Sequence, residues 1–129
     1  MTSPRHRVLS FQATYYIITG VWPLVHFASF ELVTGPKTDD WLVRMVGLLV
    51  VLIGGTLAVA VRRDAVQTLE ITLLAAGATL AFSFIDIWYA VTGRISRIYL
   101  ADASLELALL VALVLTRRDS LHNREAPRS

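Results

Sequence analysis

Between Met45 and Val61 the chain carries no charged side chain. The enclosing segment, Trp41 to Val61, has the roughly 20 residues that a helix needs to cross the hydrocarbon core of a bilayer. Three further apolar segments of similar length flank it: about Val8–Phe27, Leu69–Val91 and Ile98–Thr116. Their hydropathy is weaker, because the third carries Glu70 and Asp86 and the fourth carries Asp102 and Glu106. The pattern predicts an all-α integral membrane protein of four transmembrane helices in an antiparallel up-down bundle, formed by residues 1–118, with a polar, disordered tail over 119–129.

Composition agrees. Of 129 residues, 55% are hydrophobic and 17% charged, with a mean hydropathy of +0.59, more apolar than an ordinary soluble domain. Net charge is only +2, and the arginines stand at segment ends and form no stripe, which argues against nucleic acid as a partner. Cysteine is absent, so disulfides, thiolate metal sites and cysteine nucleophiles are excluded.

Punctuation fits the segmentation. Gly35-Pro36 separates segments one and two, Asp39 or Asp40 can cap the second helix, Asp64 and Gln67 form a capping pair before the third, and Gly93 ends it. The first segment has a basic start but contains Gln12, Tyr15, Tyr16 and Thr19 and lacks a small-x-small cleavage site, so it is read as a retained helix. Arg5, Arg7, Arg62, Arg63 and the four arginines from Arg117 onward fall on one side, against Lys37, Arg44, Arg94 and Arg97 on the other, which predicts cytoplasmic termini. Eleven arginines beside one lysine suggest a G+C-rich bacterial genome and hence an inner membrane.

Polar and small residues recur at helical spacing on each segment. Gln12, Tyr15, Thr19, Trp22 and His26 form one stripe; Arg44, Gly47, Val51, Gly54 and Ala58 a second; Thr72, Thr79, Ser83 and Asp86 a third; Tyr99, Asp102 and Glu106 a fourth. Such faces pack inward in lipid. The short connection around Arg94 puts Asp86 and Asp102 at similar depth, with Glu106 one turn deeper. Asp86, Asp102, Glu106, His26 and Arg44 therefore form a candidate cluster in the outer half, with Tyr99 and Trp22 as further ligand-facing side chains. Gly54, Ala58, Gly77 and Ala81 are expected to allow close helix contact in the other half.

Some of these residues have plainer readings. Arg44 can snorkel to the head groups, His26 suits an interfacial position, Glu70 can pair with Arg62 or Arg63, and Trp22, Trp41 and Trp88 suit aromatic girdles. Pro23 is expected to kink the first helix. The three acids are harder to set aside, because intramembrane carboxylates are costly and mark functional sites. Three acids against Arg44 leave an excess that protons, including one shared between Asp102 and Glu106, a bound cation or a partner subunit must neutralise.

Three functions follow. The first is binding or transport of a proton-coupled, cationic or lipophilic small molecule, with a homodimer expected for transport. The second is acid/base catalysis on a lipophilic substrate by Asp86, Asp102 and Glu106: isomerisation, cyclisation or epoxide hydrolysis. In outline the chain resembles the small sterol-isomerase and sigma-2-receptor family of membrane proteins, which also hold acids inside a compact helix bundle. That likeness covers architecture and residue type, and no shared motif carries a catalytic residue over. The third is a structural subunit of a larger membrane complex. No HExxH, Glu-x-x-His pair, phosphate loop or haem-binding histidine pair occurs, so neither metal nor cofactor is predicted.

Overall fold

The computed structural model describes residues 3–125, and the side chains of 3–117. Five helices make up the described chain: α1 (Pro4–Val25), α2 (Phe27–Thr34), α3 (Asp40–Arg62), α4 (Leu69–Val91) and α5 (Ile98–Glu125), with no strand among the described residues. Four of them, α1, α3, α4 and α5, are long and apolar enough to cross a membrane, which the hydropathy of the sequence predicts.

Helix ends are set by local chemistry. Ser3 caps α1, its Oγ accepting the His6 N–H at 3.3 Å, and Pro4 occupies the first turn where its missing N–H costs nothing. The first helix thus starts earlier than hydropathy suggests and takes in Arg5. Pro23 removes a donor two residues before α1 stops at Val25. His26 then leaves helical geometry and serves both neighbours: its N–H donates to the Trp22 carbonyl at 2.9 Å, and its Nδ1 accepts from the Ser29 N–H at 3.1 Å to open α2. Gly35, at φ 97°, ends α2.

Asp39 holds the N-cap position of α3 without a side-chain capping bond. The Asp64–Gln67 capping pair does not form. Asp64 instead turns the chain at φ 58° and pairs with His6 at 2.6 Å, while Thr68 caps α4, its Oγ1 accepting from the Ile71 N–H at 3.4 Å. Gly93, at φ 79°, follows the end of α4. The polar stretch from 119 continues the α5 backbone as far as Glu125; the rest of the expected disordered tail, 126–129, lies outside the described residues.

Two helix pairs dominate the packing, α1 on α3 and α4 on α5. The α1–α3 seam is built on glycine. A Cβ at Gly20 would lie 2.6 Å from the Gly47 carbonyl oxygen, and one at Gly54 would lie 2.9 Å from that of Ala13, so neither position has room for a side chain. Such close backbone approach is how helices associate in lipid. Gly77 differs from the expectation: it is exposed with open space around it, and Ala81 is also exposed, so this pair packs no neighbouring helix.

Toward the chain termini the two pairs join in a core of Leu9, Ala13, Leu57, Val66, Ala75 and Leu113. Arg5 sits in that region, only 1% exposed, donating to the carbonyls of Val66 (2.6 Å) and Leu113 (3.0 Å) and to the Thr72 hydroxyl (2.7 Å). Helix α1 also touches α5, while the consecutive helices α3 and α4 share little contact.

Candidate functional site

In the half of the bundle that holds α2, the helix pairs separate around a cavity of about 770 Å³. Its wall is drawn from Tyr15–Pro23 of α1, Leu42–Val50 of α3, Ala81–Asp86 of α4 and Ile98–Glu106 of α5, with Phe30, Val33 and Thr34 of α2 and Lys37 and Ile95 of the connections, and is largely aliphatic and aromatic. A space of this size accommodates a drug-sized molecule.

All three acids line it. Asp102 and Glu106, four residues apart, share one face of α5, and each carboxyl meets a tyrosine of α1. Tyr16 Oη donates to Glu106 Oε2 at 2.7 Å, and Tyr15 Oη donates to Asp102 Oδ1. Glu106 is 1% exposed. Asp86, on the buried face of α4 with Thr79 and Ser83, is 6% exposed and lies within side-chain reach of Asp102. Its Oδ2 is buried without a hydrogen-bond partner. The hydroxyls on that face donate within α4, Ser83 to the Thr79 carbonyl at 2.6 Å and Thr79 to that of Ala76 at 2.8 Å.

Tyr16 belongs to a longer polar thread. Gln12 Nε2 donates to the Ala75 carbonyl at 3.1 Å, its side chain also reaches Tyr16, and its Oε1 is buried without a partner. Sequence spacing marks Tyr15 and not Tyr16 as the inward tyrosine; the i, i+4 relation of Gln12 and Tyr16 is the signal that finds the second.

The basic residues expected beside the acids lie elsewhere. Arg44 is exposed, outside the cavity wall, with its guanidinium 5.0 Å from the Phe27 ring centroid. A hydrophilic guanidinium near a helix start finds water and an aromatic face more cheaply than a dry interior. His26 is exposed and occupied in joining α1 to α2. Trp22 and Tyr99 do line the cavity: Trp22 Nε1 donates to Ser29 Oγ at 2.8 Å, and the Tyr99 ring lies under the Lys37 ammonium at 5.3 Å.

Lys37, the sole lysine, was not singled out by the sequence pattern. It lines the cavity and donates to the carbonyls of Thr34 (3.0 Å) and Gly35 (2.8 Å) at the end of α2. Partial burial lowers its pKa from the ordinary lysine value, and the charge of nearby Glu31 offsets part of that effect.

Chemically, the site is an apolar chamber lined by three carboxyls, with no cationic side chain paired to them among the described residues. Among the described residues no group of three His, Asp or Glu side chains is arranged to hold a metal ion. Comparison of the chain with protein-family models, with curated proteins and with solved structures yields no match.

Proposed function

We propose that the chain is a multi-pass membrane protein that binds a lipophilic, cationic small molecule in this cavity, with an amine nitrogen held at Asp86. The observation that carries the reading is the buried, unpartnered Oδ2 of Asp86 in the wall of a large apolar chamber. A buried carboxylate oxygen without a partner is costly until a proton or a cationic donor joins it. An ammonium group supplies both charge and hydrogen bond, and the surrounding aliphatic and aromatic wall suits the rest of such a molecule. Asp102 and Glu106 each already accept from a tyrosine, which leaves Asp86 as the anchor.

The bundle is read as antiparallel with both termini cytoplasmic, which puts the cavity in the outer half of a bacterial inner membrane. The arginine balance supports this orientation even with Arg5 buried, since Arg7, Arg62, Arg63 and the arginines from Arg117 onward remain on the terminal side. A proton released by Asp86 as the amine binds would couple occupancy to the proton gradient, which is the transport form of the same reading.

Equilibrium binding of a fluorescent lipophilic amine to the purified protein tests it. Wild type is expected to bind saturably. Asp86→Asn is expected to weaken binding by about thirtyfold or more, since truncating one partner of a buried charge pair costs about 2–5 kcal/mol. The N-acetylated, uncharged analogue is expected to lose a similar factor on wild type and little on the variant. Equal binding of amine and analogue to both proteins would sink the proposal.

A further inference from the structure

The cavity has one side on which no helix closes against its neighbour. Around it the contacts run from α3 to α1, from α1 to α5 and from α5 to α4, while α4 and α3 barely touch. Both lips of that gap carry cavity-lining residues that are exposed and apolar: Leu42 and Val46 on α3, Ala81 and Ile85 on α4. Both helices are long and apolar enough to cross a membrane, and on the membrane reading above the gap faces lipid.

The end of the cavity toward the α2–α3 and α4–α5 connections is built differently. There α2 contacts both α1 and α5, Gly35 lies against Ser96 across the two connections, and Lys37 ties the end of α2 to its own carbonyls above the Tyr99 ring. Glu31 Oε1 accepts the Lys37 backbone N–H at 3.0 Å, which fixes the same turn from the other side. Packing of α2 on α5 and the Lys37–Tyr99 contact fasten this end, the polar bonds fixing the α2 turn itself, whereas apolar side chains border the α3–α4 gap.

We infer that the ligand enters and leaves sideways, from the bilayer through the gap between α3 and α4, and is a membrane-dissolved lipophilic amine whose apolar part extends toward that gap while its nitrogen reaches Asp86. This rests on the binding reading above and adds the route and the physical class of the ligand. A water-borne ion would have to cross the fastened end, whereas an amphiphile already in the leaflet meets an opening lined with its own kind of surface.

The test measures exchange of a fluorescent long-chain amine between vesicle lipid and the reconstituted protein. Ala81→Trp narrows one lip and Val46→Trp the other; Gly77→Trp, one turn from Ala81 on exposed α4 surface with open space around it and outside the cavity wall, is the control. Both lip variants are expected to slow entry and exit by roughly an order of magnitude, with the equilibrium constant moved far less, and the control to exchange at the wild-type rate. Two lip variants from different helices guard against one of them failing to fold.

Unchanged exchange in the lip variants, with faster exchange in Lys37→Ala, would overturn the lateral route and place entry at the fastened end. Equilibrium binding in detergent separates the two claims. If Asp86-dependent binding is intact there while lip substitutions have no kinetic effect, the route alone fails. If that binding is absent, the binding reading fails and takes the route with it.

Discussion

Arg5 and Asp86 are both buried ionisable side chains, and they are handled in opposite ways. Arg5 has its guanidinium filled with carbonyl and hydroxyl acceptors and touches no carboxylate among the described residues, and it fastens α1 to the α3–α4 connection, to α4 and to α5. Losing such hydrogen bonds to a charged group costs about 1.5–3 kcal/mol. Arg5→Ala is therefore expected to lower the melting temperature by several degrees, and Arg5→Lys, which keeps the charge but not the planar fork, to restore only part of it. Thermal unfolding of the three proteins in one detergent checks this. Lys37 gives a pH prediction. Its pKa is lowered in the fold, so the unfolded chain binds more protons than the folded one between the lowered value and the ordinary 10.5. Stability contributed by this group thus rises with pH through that window and is constant below it. The difference between wild type and Lys37→Gln in unfolding midpoint isolates this contribution, and it should move in favour of wild type as pH rises through that window. Of these residues, Asp86 is legible in the sequence as an acid in an apolar run. Arg5 is legible only to a reader who takes Ser3-Pro4 as a helix start, since hydropathy alone leaves it outside. Arg44 misleads because its spacing matches an inward stripe while its position one turn into α3 lets it reach the surface.

Helices α1 and α3 are held by backbone contact more than by side-chain interlocking. Gly47→Ala would press a methyl group to 2.7 Å from the Gly20 carbonyl oxygen and 3.3 Å from Pro23, and neither backbone nor a proline ring yields easily. The substitution is expected to destabilise the bundle measurably. Gly77→Ala, with nothing within 4 Å of the new carbon, is expected to leave stability unchanged or raise it by up to about 1 kcal/mol through helix propensity. Chemical denaturation of both variants side by side is the check. The difference between these two glycines is not visible in sequence, where Gly54/Ala58 and Gly77/Ala81 are equivalent small-xxx-small pairs. It depends on which helix each face meets. Helix α2 was illegible for a different reason: eight residues between His26 and Gly35 are too few to show a period, and histidine is an unusual cap.

At the scale of the whole molecule, the existence of four long apolar helices is readable from hydropathy because each must be nearly 20 residues long and nearly free of charge. The site is readable in part because a short connection brings Asp86 and Asp102 to the same depth whatever the rest of the bundle does. The cavity itself is not, since it depends on which helices pack closely, α1 on α3 and α4 on α5, and which do not, a matter of tertiary arrangement that no linear pattern encodes. Its central chemical feature, a carboxyl oxygen buried without a partner, is open to direct observation. Infrared difference spectroscopy of the protein in bilayers, recorded as a lipophilic amine is added, reads carboxyl groups individually when wild type is compared with Asp86→Asn. The account predicts a carboxyl signal that changes on amine binding in wild type and is absent from the variant, while both proteins unfold at similar temperatures. A carboxyl response that persists unchanged in Asp86→Asn, or no response in either protein, would contradict it.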